Sequence, residues 1–268
     1  MGNSLLGITA LLALLPAALL PWRRLGTQPE RDGVFWAVTA VAVVGPGCWS
    51  FLQMAGAWRT GFSAALWVTV AATMVSFAVV SALTRQAWRL APLLLPYLVG
   101  FALVALVWQR APERPLLTST NQPWLEAHIV VSVATYALAT LAAVAGLAVF
   151  LQERALKSRQ PTALTRHLPS IADSETLLVR LLLAAGAVLL LDLLTGMSIN
   201  YLNLGTPLRL DHKTLFSLLS FVVIVGLLAA HYRTGVRGRR AARYVLLGYL
   251  LLTLAYPGVK FVTDILIG

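Results

Sequence analysis

L-G-T-P-L-R-L-D-H-K-T at 204–214 is followed by an apolar run and then by the basic turn A-H-Y-R-T-G-V-R-G-R-R-A-A-R-Y at 230–244. A second apolar run follows this turn and ends with A-Y-P-G-V-K at 255–260. A helix crosses a bilayer with about 20 apolar residues, because each residue rises about 1.5 Å. The stretch therefore predicts two membrane helices that run in opposite directions. The basic turn lies on one side of the membrane, and Asp-His-Lys at 211–213 lies on the other.

The composition of the whole chain is that of an integral membrane protein. Its 268 residues are 59% hydrophobic and only 12% charged, whereas soluble domains carry about 25% charged residues. The net charge of +11 does not indicate nucleic-acid binding, because most Lys and Arg residues lie in short loops between apolar runs. Cys48 is the single cysteine, so an intramolecular disulfide is excluded.

Eight apolar runs predict an all-α, polytopic membrane protein with about eight transmembrane helices. We expect residues 1–110 to form an N-terminal four-helix part and residues 124–268 a second four-helix part, both integrated into one transmembrane domain. The predicted spans are Ser4–Trp22, Val34–Met54, Phe62–Leu83, Ala91–Gln109, Trp124–Leu151, Leu177–Met197, Thr214–Tyr232 and Arg243–Thr263.

Basic residues are distributed unequally between the two sides of these spans. Fifteen Lys and Arg residues follow spans one, three, five and seven, and six lie on the other side. Cytoplasmic loops carry the excess of Lys and Arg. Both termini are therefore predicted on the non-cytoplasmic side, and the turn at Arg233–Arg243 is predicted inside.

This topology places two histidines at the outer boundary and one at the cytoplasmic boundary. His128 begins span five and His212 precedes span seven, whereas His231 ends span seven on the cytoplasmic side. Two neutral imidazoles on facing helices are able to ligate a haem iron or to form half of a metal site. The alternative is that His128 and His212 are amphipathic boundary residues without a ligand.

Charged and aromatic neighbours of these histidines have two interpretations each. Arg209 and Lys213 flank His212, where cations either pair with haem propionates or are ordinary loop charges. Trp124 precedes His128 by four residues, and either packs against a porphyrin or anchors the helix at the interface.

Two other residues are candidates for function. Asp192 lies in V-L-L-L-D-L-L-T-G, and acids inside a membrane are costly and often functional. The alternative is that water or Arg209 satisfies Asp192 near the outer end of span six. His231 and the following arginines either orient the protein and attract anionic lipid, or form a docking point for an anionic ligand.

The last 145 residues resemble the cytochrome c assembly membrane proteins of the CcsA, CcmC and HemX type, and most closely the HemX-like branch. The strings that carry the resemblance are H-I-V-V-S-V-A-T-Y-A-L from 128, G-L-A-V-F-L-Q-E-R-A-L-K from 146, L-P-S-I-A-D-S-E-T-L-L-V-R from 168, D-H-K-T-L-F-S-L-L-S from 211, G-V-R-G-R-R-A-A-R-Y from 235 and G-Y-L-L-L-T-L-A-Y-P-G-V-K-F-V from 248.

The resemblance implies haem binding at the outer face of a bacterial inner membrane. His128 matches the first of the two outer histidines that ligate haem in the family, and His212 lies near the second. The tryptophan-rich signature between them is absent, since Leu204, Leu208 and Leu210 stand where tryptophans are expected. The HemX-like branch generally lacks this signature.

We therefore expect a haem-handling protein that assists cytochrome c maturation or haem delivery, with haem, other assembly or haem-synthesis proteins and membrane lipid as partners. We do not expect an enzyme, because the sequence shows no nucleophile triad, phosphate loop or carboxylate dyad. One alternative is a small-solute or metal-ion transporter, which helix-breaking prolines and Asp192 favour. Another is a regulator or scaffold of haem synthesis that does not bind haem.

Overall fold

The structure is a computed structural model that describes residues 2–24, 30–54, 61–111, 122–206 and 211–266. Regular structure in these ranges is helical throughout. A 3₁₀ turn at Ala87–Leu90 precedes α4, and a π-helical turn at Leu254–Gly258 continues α9. The α-helices of five or more residues in the described ranges are α1 (Gly2–Arg23), α2 (Gly33–Met54), α3 (Phe62–Leu83), α4 (Ala91–Val107), α5 (Gln122–Ser158), α6 (Ala163–His167), α7 (Ile171–Leu204), α8 (His212–Thr234) and α9 (Gly238–Thr253). A short α-helical turn at Val259–Phe261 and a π-helical turn at Val262–Leu266 follow.

Eight helical segments are long and apolar enough to cross a membrane. They correspond to the eight predicted spans, so the prediction of an all-α polytopic membrane protein is confirmed. The short helix α6 lies between two of them. It begins at a Thr162 capping box, in which the Thr162 side chain accepts a hydrogen bond from the backbone N–H of Thr165.

Helix α7 is longer than the predicted span Leu177–Met197. It begins after Ser170, whose side chain accepts a hydrogen bond from the Asp173 N–H, and it ends at Gly205, which adopts the left-handed conformation with φ of 69°. Residues 198–204, predicted as part of a loop, are helical because Gly205 is the first residue to provide this terminating conformation. Asp192 consequently lies twelve residues before the helix ends at Leu204, about 18 Å along the axis.

Helix α5 lies at the centre of the bundle, and α8 is the most thinly packed helix near it. In α5, 78% of the membrane window is buried, compared with 17% in α8. Alanines on α5 allow its neighbours α7 and α9 to approach closely, as small residues do in membrane bundles. The buried side chains of α8 are Ser217, Ser220, Ile224 and Leu227.

Three tyrosines from α4, α5 and α9 form a buried hydrogen-bonded cluster. The hydroxyl of Tyr249 donates to that of Tyr136 at 3.0 Å and also bonds to the hydroxyl of Tyr97. Thr140 donates to the Tyr249 hydroxyl at 3.1 Å, and Thr253 is 3.1 Å from the Tyr136 hydroxyl. This cluster ties a helix of the N-terminal part to two helices of the C-terminal part.

Candidate functional site

A partly buried histidine–aspartate pair joins α5 to α7. The Nδ1 atom of His128 lies 3.2 Å from Oδ1 of Asp192, and the two side chains are 14% and 13% exposed. The Ser132 hydroxyl donates to the same carboxylate oxygen. His128 Nδ1 also lies 2.8 Å from the Thr195 hydroxyl. The acid that the sequence predicts as a functional candidate is therefore held by two polar side chains of the neighbouring helix.

The hydrogen bonds around His128 define which ring nitrogen is free. The Thr195 hydroxyl donates its proton to the backbone carbonyl oxygens of Leu191 and Asp192, at 2.9 and 3.0 Å. It therefore accepts the proton on His128 Nδ1, as the Asp192 carboxylate also does. Nε2 then carries a lone pair, and it has no hydrogen-bond partner within the described part of the chain. This is the tautomer that a metal-binding imidazole requires.

The spacing of residues along both helices creates this arrangement. His128 and Ser132 are four residues apart and therefore share one face of α5, while Asp192, Thr195 and Gly196 share one face of α7. Gly196 permits the close approach, because a Cβ atom there would lie 3.2 Å from Cε1 of His128. The imidazole ring thus rests directly against the α7 backbone.

A cavity of about 290 Å³ opens beside His128, between α5, α7 and α8. Its lining combines polar and apolar side chains from these three helices, so the cavity suits an amphiphilic ligand. Its polar side chains are His128, Asp192, Asn200, Asp211, Lys213, Thr214 and Ser217, and its apolar side chains are Leu125, Leu193, Met197, Ile199 and Leu218.

The first turn of α8 contributes the positive charge of the cavity. Asp211 caps this helix, with its Oδ1 accepting from the Thr214 N–H at 2.8 Å. Lys213 lines the cavity from the same turn. The Asp211 carboxylate already caps the N-terminus of α8, so Lys213 is the group on this side that favours a carboxylate or phosphate.

The structure brings some of the predicted site residues together and separates others. His128, Asp192 and Lys213 line one cavity. His212 is exposed as the first residue of α8 and is not among the lining residues, and Trp124 is 41% exposed on α5 and also lies outside the lining. Arg209 lies outside the described residues. The predicted pairing of His128 with His212 as ligands therefore stays a prediction.

His231 lies at the opposite end of α8 from this cavity. Nineteen residues separate it from His212, which corresponds to about 28 Å along the helix. Its Nδ1 donates to the Val236 carbonyl oxygen at 3.0 Å, so His231 closes the basic turn between α8 and α9. It takes no part in the cavity.

Sequence reasoning did not identify Ser132, Thr195 or Gly196 as site residues. The available signal was positional: Ser132 follows His128 by one helical turn, and Thr195 and Gly196 follow Asp192 by one turn. Only the packing of α5 against α7 shows that these two turns face each other.

Comparisons with known proteins agree with this architecture. The "Uncharacterized 28.8 kDa protein in nifR3-like 5'region" of Azospirillum brasilense is 55% identical over 268 residues, covering 99% of each chain. The inner membrane protein YpjD of Escherichia coli K12 is 29% identical over 175 residues, covering 65% of each chain. Protein HemX of Brevibacillus brevis is 27% identical over 167 residues, covering 61% of each chain. No solved structure matches the chain.

The profile of a protein family covers almost the whole chain. Residues 34–267 match the family described as cytochrome C assembly protein. The match thus includes spans two to four, which lie before the stretch that carries the resemblance in the sequence. On this evidence the chain belongs to the cytochrome c assembly protein family.

Proposed function

We propose that this membrane protein binds haem as cargo in the cavity between α5, α7 and α8, with Nε2 of His128 as an axial ligand of the iron. The observation that carries the proposal is the engagement of His128 Nδ1 by Asp192 and Thr195. A carboxylate on one ring nitrogen orients a histidine and makes its other nitrogen a better metal ligand.

The chemistry of the cavity fits haem. Leu193, Met197 and Leu218 offer apolar contacts for the macrocycle, and the imidazole of His128 lines the same cavity. The volume of about 290 Å³ lies just below the range of about 300–1,000 Å³ for ligand sites. A ligand larger than the cavity remains partly exposed, which suits a carrier that has to release it.

Lys213 is the residue that we propose to pair with a haem propionate. It lines the cavity at the start of α8 and carries the positive charge that a propionate requires. Arg209, from the predicted set, is a second candidate for this role. His212 is a candidate for the other axial ligand, and its exposed position makes its contribution separable from that of His128 by substitution.

The family supports a haem-related role in cytochrome c maturation, and we propose that the role here is binding and delivery rather than catalysis. By the predicted topology the cavity opens at the outer face of a bacterial inner membrane. YpjD is itself an inner membrane protein. The expected partners are other cytochrome c assembly or haem-synthesis proteins. Alkaline phosphatase fused to the C-terminus tests the topology, because it is active only outside the cytoplasm.

The test is a haem titration of the detergent-purified chain, followed by absorption spectroscopy in oxidised and reduced states. The parent should show saturable binding with a shifted Soret band. His128→Ala should abolish it, whereas His231→Ala should leave it unchanged, because His231 is at the other end of α8. His212→Ala reports separately on the second predicted ligand.

Two results would contradict the proposal. A parent protein that stays colourless at saturating haem does not bind it, and the transporter or regulator then becomes the better explanation. Equal binding by the parent and His128→Ala, with both proteins folded by circular dichroism, places haem elsewhere. Solute uptake into proteoliposomes then distinguishes a transporter from a regulator.

A further inference from the structure

We propose that the ends of α5, α7, α8 and α9 opposite the cavity form a binding surface for anionic phospholipid headgroups, independently of any haem binding. We call this surface the basic face. Its nine members are exposed Lys and Arg residues, namely Arg154, Lys157, Arg159, Arg166, Arg180, Arg233, Arg237, Arg240 and Arg243.

Three acids lie at this end, Glu153, Asp173 and Glu175, so the nine exposed cations outnumber them and the basic face keeps a net positive charge. Glu175 Oε1 accepts the Gly238 N–H at 2.6 Å, at the start of α9. Asp173 contributes to the cap of α7, where its carboxylate accepts from the Ser170 hydroxyl at 2.6 Å. The described residues contain no ion pair to any of the nine cations. Their charge is therefore available to an external anion.

The turn that carries four of these cations is held in a fixed conformation. Gly238 has φ of 61°, which a residue with a side chain rarely adopts, and the Glu153 carboxylate occupies the space that a Cβ would need. The guanidinium of Arg239 packs over the Phe150 ring at 4.6 Å. His231 fixes the other side of the turn through the Val236 carbonyl. The cations are thus presented by a preorganised support.

The surroundings of the turn favour a lipid over a soluble acidic protein. Tyr232 and Tyr244 are 68% and 53% exposed beside Arg233 and Arg243. Exposed tyrosines at the ends of membrane helices lie at the level of the headgroups. Arginine binds phosphate through paired N–H groups, so its side chain at this depth matches a phosphodiester. Since Glu175 already occupies the first N–H of α9, the arginine side chains and not the helix N-terminus receive the phosphate.

Headgroup binding here has a measurable structural consequence. Helix α8 is thinly packed, with 17% of its membrane window buried, and one of its ends is the basic turn. Anions that bridge Arg233 to Arg237 and Arg240 therefore add contacts where the bundle provides few. We expect anionic lipid to raise the thermal unfolding midpoint of the chain.

The experiment measures Tm of the full chain in an uncharged detergent with added dioleoyl-phosphatidylglycerol or dioleoyl-phosphatidylcholine. Phosphatidylglycerol should raise Tm by about 2–4 °C more than phosphatidylcholine, a shift that about 0.5 M salt should reduce. The triple variant R233Q/R237Q/R240Q should lose at least half of this difference. Arg110→Gln, which removes an exposed charge at the other end of the bundle, should retain it.

Several outcomes would overturn the proposal. Equal Tm shifts with both lipids in the parent, or a full response in the triple variant, exclude an anionic-lipid surface at the turn. Polyglutamate serves as an acidic-peptide probe, and inorganic phosphate as a free-anion probe. If either reproduces the phosphatidylglycerol response in the parent but not in the triple variant, the basic face is a protein-docking or free-anion surface instead.

Discussion

His128 Nδ1 lies 3.2 Å from Asp192 Oδ1, and α7 continues for twelve residues beyond that carboxylate. Helix α7 therefore extends well past the carboxylate, whereas His128 lies six residues after the start of α5. A partly buried acid needs a partner, because desolvation disfavours an isolated charge. The imidazole and the Ser132 hydroxyl provide that partner, and the arrangement leaves Nε2 of His128 available.

Asp192→Asn tests whether the carboxylate tunes His128. Asparagine keeps the shape of the side chain but removes the negative charge that increases the basicity of Nε2. We expect haem affinity to fall roughly 10–100-fold, as is typical when a partner of a metal-ligating histidine is changed. Glu126→Gln, which neutralises an exposed acid on α5, is the control and should leave the affinity unchanged. An Asp192→Asn protein with parental affinity would show that the carboxylate has no such role.

Gly196→Ala tests the close approach of the His128 ring to α7. The added Cβ would lie 3.2 Å from Cε1, so the ring has to move by a few tenths of an ångström. Haem affinity should fall while the fold is retained. Gly100→Ala is the control, because a Cβ there meets no atom within 4 Å. If the two alanine variants bind haem equally, the ring position is not critical for binding.

Tyr249→Phe tests the tyrosine cluster. Tyr249 bonds to Tyr97, Tyr136 and Thr140, so its loss leaves buried hydroxyls with fewer partners. We expect the free energy of unfolding to fall by about 1–3 kcal/mol, measured by denaturant titration in mixed micelles. Tyr201→Phe removes a hydroxyl from an exposed tyrosine and should have little effect. Equal stability of the two variants would mean that the cluster does not stabilise the bundle.

His167 provides a prediction about pH. It is 6% exposed in α6 and lies edge-on to Trp88, with ring centroids 6.2 Å apart. Burial, and then the charges of Arg89 and Arg24, lower the pKa of His167 below its usual 6.5. As the pH falls below about 6.5 the unfolded chain takes up this proton before the folded chain does, so stability decreases through that window.

The measurement is Tm between about pH 7.5 and 5 for the parent, His167→Gln and His231→Gln. His167→Gln should reduce the fall of Tm at low pH, and His231→Gln should show the same fall as the parent. If Tm of His167→Gln falls as much as that of the parent, the pH dependence belongs to another group.

The sequence was sufficient for the membrane architecture and for some residues of the site. Apolar runs of about 20 residues predict helices because no other structure satisfies the backbone in lipid. His128 and Asp192 were identifiable because ionisable groups are unusual in such runs. The length of α7 was underestimated, because residues 198–204 are polar enough to resemble a loop and Gly205 alone terminates the helix.

The relationships between helices were not predictable from one sequence. Nothing in the spacing of His128 and Asp192, 64 residues apart, shows that they share a hydrogen bond. The same limit applies to Tyr97 and Tyr249, which meet from opposite halves of the chain. The charge count places His212 on the same side as His128, but only the packing of α8 shows that Lys213, and not His212, lines the cavity.

Chemical rescue of His128→Gly by imidazole tests the central claim most directly. Removal of the side chain should abolish haem binding by the folded protein, and added imidazole should restore the Soret band by occupying the vacated position. Imidazole should rescue less well when Asp192→Asn is also present, because the carboxylate no longer orients it. Undiminished haem binding by His128→Gly without imidazole would contradict the assignment of His128 as the ligand.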